Sequence, residues 1–267
     1  MSRDIVSVIK KDYITNLAKE NRRIDGRRFD ELRPISIERG VISTAEGSAR
    51  VKLGNTDVIV GVKAGIGEPY PDSPDKGVLT TSAELIPMAY ADFEAGPPRE
   101  GAIELSRVVD RGIRESQAIS LGKLCIIPEE KVWIIFIDAH VIDYDGNLFD
   151  AATLGAISAL TNTVLPGNID SGVEEKNMDV EHYPLACTVV KLGEELVVDP
   201  NADEERVCSA RLTITTDENG DIRAMQKGNG GQFKLDELKT AVGLAGEVNK
   251  RTREGFEFLR PGANTMD

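Results

Sequence analysis

Histidine, cysteine and aromatic residues are scarce in this chain of 267 residues, and each shortage closes off a class of chemistry. His140 and His182 are its only histidines, too few for a zinc site or a Ser-His-Asp triad, so each reads as structural or exposed. Cys125, Cys187 and Cys208 are odd in number, far apart and in no C-x-x-C arrangement. They read as buried thiols, neither a disulfide framework nor a metal site. No apolar run approaches the roughly 20 residues of a membrane span. The start, MSRDIVSVIKKDY, lacks the apolar core of a signal peptide. A cytoplasmic protein with no membrane partner is therefore expected. Positive charge is also short: 32 Lys and Arg stand against 45 Asp and Glu, a formal net charge of -13. Such a surface repels a polyanion, which could bind only at a focal basic patch or one shared with another chain.

One such patch is written into Glu104-Leu105-Ser106-Arg107-Val108-Val109-Asp110-Arg111-Gly112-Ile113-Arg114-Glu115-Ser116. At about 100° per residue, Leu105, Val108, Val109, Gly112 and Ile113 share one side of a helix. Arg107, Arg111 and Arg114 gather on the other, three planar forks of donors suited to phosphate. The plainer reading is a hydrated helix face, with Glu104 and Glu115 pairing with the row at i, i+3 or i+4. On chemistry alone the plainer reading is favoured. Aromatic residues make up 5% of the chain and none interleaves with the row, so this helix is not expected to stack on bases.

The rest of the chain is soluble and globular in composition, 40% apolar and 29% charged, and long enough for one large domain or two modest ones. Ile5, Val8, Ile9, Tyr13 and Leu17 recur at helical spacing behind Ser2 or Asp4 as cap. The polar stretch from Asn21 to Arg28 ends that helix. Segments 48–53 and 57–63 form a hairpin around Gly54-Asn55-Thr56, and 78–84 is a further strand. The proline-rich stretches 67–75 and 94–99 are loops. A long strand over 132–143 turns at Asp145-Gly146 into a helix of small residues from Asn147 to Thr163. Residues 166–184 are irregular and acidic, a natural boundary. Beyond them 185–192 pairs with 195–199, 211–217 pairs with 221–226, and a helix runs from Leu235 toward Phe258. Hairpins that feed a long helix, twice over, predict an α+β fold of two pseudo-equivalent units.

Two further clusters invite a chemical reading. Lys227-Gly228-Asn229-Gly230-Gly231 lacks the strand–loop–helix context and the Lys-Ser/Thr ending of a P-loop, and reads as a flexible connection. The acidic run Asp199-Pro200-Asn201-Ala202-Asp203-Glu204-Glu205 could hold a divalent cation but has no calcium-loop spacing; a solvated turn is favoured.

Several motifs occur together in the order of a known family. Arg23-Ile24-Asp25-Gly26-Arg27, the hairpin segment from Gly47 to Thr56, the arginine-bearing helix from Glu104 to Arg114, Asp145-Gly146 before an alanine-rich helix, and Val197-Val198-Asp199 resemble RNase PH-like proteins over nearly the whole chain. The resemblance implies an RNase PH-like fold, with residues 1–30 as N-terminal helix and opening motif, 31–165 as first half, 166–184 as linker and 185–267 as second half. Members of the family degrade RNA from its 3′ end with inorganic phosphate in place of water. Active members carry a Gly-Ser or Ser-Ser phosphate loop just after the turn that matches Asp145-Gly146, where this chain has Asn147-Leu148-Phe149-Asp150. They also end the acidic loop in aspartates, where this chain has Cys208-Ser209-Ala210-Arg211 and keeps only Asp203.

The pattern is closest to the non-catalytic branch that builds the archaeal exosome ring, which has the exposed loop here spanning Gly65 to Asp72. That likeness implies no catalytic residue, no metal ligand and no cofactor held by this chain. Inorganic phosphate, and magnesium where it is used, would sit in the active site of a catalytic RNase PH-like paralogue, three copies of each chain forming a hexameric ring. RNA-binding cap proteins and single-stranded RNA are the other implied partners, the RNA held by Arg107 and Arg111 and less firmly by Arg114. Two alternatives stay open: a self-sufficient phosphorolytic exoribonuclease, and a stand-alone RNA-binding module.

Overall fold

Strand alternation around the two-residue turn Gly54-Asn55 starts the first sheet. Strand β2 (Gly47–Leu53) pairs antiparallel with β3 (Thr56–Gly67), Leu53 facing Thr56, as the spacing predicts. The computed structural model describes residues 2–167 and 174–260. The sheet is completed by β1 (Ile35–Arg39), β4 (Val78–Leu85), β5 (Cys125–Ile127) and β6 (Lys131–Asp143) in the order β1-β2-β3-β6-β4, with β5 on β6. The predicted strand and helix types hold, but β4 runs parallel to β6, a pairing that no local pattern announces. Between them the chain crosses over through α2 (Glu100–Glu115), as a parallel pair requires.

The second sheet has β9 (Leu185–Leu192), β10 (Glu195–Val198), β11 (Ala210–Thr216) and β12 (Ile222–Gly228) in the order β10-β9-β11-β12, all antiparallel. Every residue of β9 is buried, because both of its faces are covered. Helix α5 (Leu235–Gly255) packs Ala241, Ala245 and Val248 against Cys187 and Val189 on one face, while its first residue, Leu235, is exposed. On the other face lie α1 (Ser2–Lys19) and α3 (Leu148–Leu160).

All 13 residues of α3 are buried, as an apolar helix without a wet face must be. It lies between the two sheets, against β2 and β3 on one side and β9 on the other, with α2 beside it. Small residues make this possible. A Cβ on Gly155 would lie 2.7 Å from a methyl of Val60.

Helix α1 starts at Ser2, so both predicted caps, Ser2 and Asp4, fall within the helix rather than ahead of it. Its packing differs from the predicted stripe: Ile14 and Ala18 are buried and Tyr13 is 56% exposed. The helix rests on a shallow patch made by Val190, Leu192 and Val207, where a small residue such as Ala18 permits close approach and a tyrosine ring does not fit. The stretch 166–184 is less free than its composition suggests. Its short strand β8 (Lys176–Asn177) pairs with β7 (Val164–Leu165), and Glu181 N–H donates to Ala118 O at 2.8 Å. The middle of that stretch, 168–173, and the tail 261–267 lie outside the described residues. Among the described residues, no helix is long and apolar enough to cross a membrane.

Candidate nucleic-acid interface

Helix α2 follows the prolines of its preceding loop and carries Glu100 in its first turn, where the helix dipole favours an anion. Leu105, Val108, Val109, Gly112 and Ile113 are all buried, the face the sequence marks out. Each of the larger four contributes about 1.5–3 kcal/mol of apolar burial. Gly112 sits where a Cβ would already touch Thr215 of β11 at 3.4 Å, so α2 lies close on the second sheet. Arg107, Arg111 and Arg114 are exposed on the opposite face. With Thr81, Ser106, Asp110 and Glu115 they line an open depression of about 240 Å³.

The three guanidiniums differ in their surroundings. Among the described residues Arg107 has no hydrogen-bond or ion-pair partner. Arg111 donates one hydrogen bond, 3.2 Å long, to Gln226 Oε1 on β12. Arg114 is tied down at both nitrogens that face its own helix: Nε donates to Asp110 Oδ2 at 3.0 Å and Nη2 to Asp110 Oδ1 at 2.9 Å, and Nη2 also reaches Leu79 O at 3.0 Å. The expected acidic neighbour Glu104 plays no part in this. It turns to the second half and pairs with Arg211 Nη2 at 2.5 Å. Tyr70, in the proline-rich loop, is 60% exposed.

The segment after Gly146 is built quite differently. Asn147 adopts the left-handed conformation, φ 58°, and α3 starts from it. The positive end of this helix, which elsewhere could receive an anion, already faces carboxylates. Asn147 N–H donates to Glu205 Oε1 at 3.0 Å, and Tyr144 O–H donates to Glu205 Oε2 at 2.6 Å. Asp150 is buried rather than aimed at solvent. It accepts from Asn147 Nδ2 at 2.8 Å, from Thr188 N–H at 3.0 Å, and meets Thr188 Oγ1 at 2.8 Å. Burial pushes its carboxyl up to about 7, the hydrogen bonds offsetting only part of the effect. Burial likewise raises Glu205 above the usual carboxylate range. The guanidinium of Arg211 lies over the Phe149 ring, 4.2 Å from its centroid, while Glu104 holds its Nη2. Ser209 Oγ donates to Lys191 O at 3.2 Å.

The acidic run is neither a cation site nor a solvated turn. Asp199 and Glu204 are fully buried and belong to an ion-pair network with the arginines of the opening motif. Arg23 makes a two-pronged bond to Glu204, 2.9 and 2.6 Å. Arg33 reaches both oxygens of Asp199, at 2.7 and 3.0 Å, and Arg27 adds a third contact at 2.8 Å. Burial opposes ionisation of Asp199, but the hydrogen bonds and charge of Arg33 outweigh it and hold the carboxyl below its ordinary range. Asp203 pairs with Lys10 on α1 at 2.8 Å. Only six residues, 202–207, form the short helix α4 here, capped reciprocally by Asn201 and Glu204. Among the described residues no group of three or more His, Cys, Asp and Glu could hold a metal ion.

Other candidates of the sequence fall away from both places. His140 is half-exposed beside Glu84, and His182 faces Glu218 at 2.7 Å. The three cysteines are unpaired; Cys187 and Cys208 are buried but Cys125 only half so. The glycine-rich stretch connects β12 to α5, with Gly231 N–H bonded to Ser209 O at 2.8 Å.

Comparison with known proteins places this geometry. The sequence is 51% identical over 255 residues to the exosome complex component Rrp42 of Thermoplasma acidophilum, covering 96% of this chain and 98% of that protein. It is 54% identical to the exosome complex component Rrp42 of Pyrococcus furiosus, covering 92% of each. A solved chain from an Archaeoglobus fulgidus exosome with RNA bound to the active site superimposes with a TM-score of 0.91 at 47% identity, covering 94% of this chain and 99% of the other. Residues 31–166 match domain 1, and residues 182–248 match domain 2, of the 3′ exoribonuclease family. The chain belongs to that family, and its two sheets with the helices between them form the RNase PH fold.

Proposed function

We propose that this chain is the non-catalytic ring subunit of an exosome that degrades RNA from its 3′ end. In this reading the chain structures the active site of a catalytic RNase PH-like paralogue, and its arginine row holds the RNA backbone. The observation that carries the reading is the contrast after Gly146. Where active relatives would receive phosphate, this chain has two carboxylates at the start of α3 and a guanidinium closed over Phe149. A phosphate dianion entering there would find Asn147 N–H, Tyr144 O–H and Thr188 Oγ1 already committed to those carboxylates in a dry setting.

The row on α2 has the opposite character. Phosphate contacts from arginine give a grip that ignores sequence and weakens with salt, which suits a machine that must take any RNA. Tyr70 adds an exposed ring in the proline-rich loop, a surface on which a base can stack. Position matters to the chemistry next door, since misplacing a reacting group by about 1 Å lowers a rate about 100-fold. The chemical step belongs to the paralogue: inorganic phosphate attacks the terminal phosphodiester and a nucleoside 5′-diphosphate leaves. The ring has three copies of each chain, cap proteins with RNA-binding domains on one face, and a cytoplasmic location. This chain holds no cofactor; phosphate, and magnesium where it is used, bind at the paralogue.

The test is direct. The purified chain is incubated with a 3′-tailed RNA, phosphate and magnesium, alone and after assembly with the catalytic paralogue. Nucleoside diphosphates should be released by the assembly and not by the chain alone. Release by the isolated chain at the rate of the ring would establish a self-sufficient exoribonuclease instead, and RNA binding by a stable monomer that ignores the paralogue would establish a stand-alone module.

A further inference from the structure

The depression that collects the three arginines also holds a carboxylate, and that is unexpected for a surface that grips a polyanion. Asp110 lies between Arg107 and Arg111 in sequence and lines the same hollow. Its two oxygens accept from Nε and Nη2 of Arg114, at 3.0 and 2.9 Å, and Thr81 Oγ1 on β4 donates to Oδ1 at 3.3 Å. Arg114 Nη2 is further fixed to Leu79 O of the same strand. Nε and Nη2 of Arg114 are therefore committed and only Nη1 keeps free donors among the described residues, while one unit of its charge is cancelled locally. Among the described residues Arg107 keeps its full charge unpartnered, and Arg111 leans only on the neutral amide of Gln226.

The pair is not needed to hold the helix in place. The side chains of Arg114 and Asp110 are 40% and 26% exposed, and ion pairs at that exposure add little to stability. The buried face of α2 does that work. A carboxylate that adds little to the fold, and sits where it opposes the ligand, is explained by its effect on the ligand.

We propose that Asp110 is a positioning residue that moderates the grip on RNA: it parks Arg114 against β4 and cancels its charge, so that Arg107 and Arg111 hold the backbone while Arg114 does not. The inference rests on the reading of the row as an RNA-holding surface. Its logic is that a strand shortened at every turnover must advance past the row. Binding that is equally strong before and after each step does not speed the chemistry, and excess grip slows the advance.

The experiment uses the ring assembled with its catalytic paralogue and measures RNA retention across a salt series, together with diphosphate release at saturating RNA. Asp110→Asn keeps the size and removes the charge. It should bind RNA about 2- to 5-fold more tightly, and the slope of log affinity against log salt should steepen by about 0.7, as one more phosphate contact is made. Release at saturating RNA should slow. Asp110→Ala should move both readings the same way. In Asp110→Asn combined with Arg114→Ala the gain should vanish, because the arginine that was freed is gone. Unchanged or weaker binding in both single variants overturns the proposal, as does a gain that survives the loss of Arg114. If instead Arg107→Ala and Arg111→Ala each leave retention untouched, the RNA-holding reading itself fails, whatever Asp110 does.

Discussion

The outer face of α2 and the segment after Gly146 each concentrate charge, and they treat it in opposite ways. On α2 the arginines stand in solvent, with one unpartnered and one held by a single neutral hydrogen bond. After Gly146, Asp150, Asp199 and Glu205 are withdrawn from solvent and their oxygens are engaged by Asn147, Thr188, Arg33 and Tyr144. The first arrangement costs the fold little and leaves donors for a ligand. The second consumes its donors and acceptors internally, leaving nothing to offer. The difference between the two places lies in which charges are left incomplete.

The contrast is most strongly tested by cutting a charge on each side. Arg33→Ala leaves Asp199 buried with Arg27 as its one remaining ion-pair partner and frees the carbonyls of Asp145 and Gly146 that Arg33 now holds. Breaking a buried pair by removing one partner costs about 3–5 kcal/mol. Arg107→Ala, at an exposed site, should stay within about 0.5 kcal/mol of the parent. Urea denaturation of the two variants measures both. Equal losses would mean that the network around Asp199 is not the structural element described here.

A second test exploits pH. The Asp150 carboxyl is raised from an ordinary 3.8 to about 7 by burial, so the folded state holds a proton that the unfolded state releases. Stability from this group is therefore full below about pH 4 and falls as pH rises toward 7, a change on the order of 3–4 kcal/mol. Asp150→Asn resembles the protonated form. Its oxygen can accept from Asn147 and Thr188 N–H, and its amide can donate to Thr188 Oγ1, which then bonds Thr213 Oγ1, now 2.9 Å away. The variant should gain on the parent steadily between pH 4 and 7 in paired denaturation curves. A difference that stays flat with pH would show that the carboxyl titrates normally.

How much of this was legible in the sequence depends on the range of the interactions. The stripe from Leu105 to Ile113 and the hairpin around Gly54-Asn55 are local patterns, and both formed as read. The pairing of Asp110 with Arg114 was also within reach, since four residues along a helix bring side chains together. Glu104, at equivalent helical spacing from the row, is instead drawn off by Arg211, 107 positions away. The acidic run shows the limit most clearly. Seven residues with four carboxylates look solvated, and nothing local says that Arg23, Arg27 and Arg33 fold back onto them. Phe149 beneath Arg211 is likewise a product of chain crossing. Apolar periodicity records where the core is; it does not record which charge meets which.

The smallest expected effect sits where the two halves of the molecule meet at the row. Gln226, on edge strand β12, is the one second-half side chain bonded to an arginine of the row among the described residues, through Arg111 Nη1 at 3.2 Å. A neutral acceptor restrains the guanidinium without cancelling its charge, so its value to a ligand is reduced wandering rather than added attraction. Ordering a long side chain in advance saves about 0.5–1.5 kcal/mol on binding, and a single hydrogen bond recovers only part of that. Gln226→Ala in the assembled ring should therefore weaken RNA retention about twofold, near the low end of that range. Its salt slope should not change, because no charge has been removed. In an Arg111→Ala background the same substitution should do nothing, since the side chain it steadies is absent. If the loss persists there, Gln226 touches RNA itself, and the basic face continues from α2 onto the edge of the second sheet.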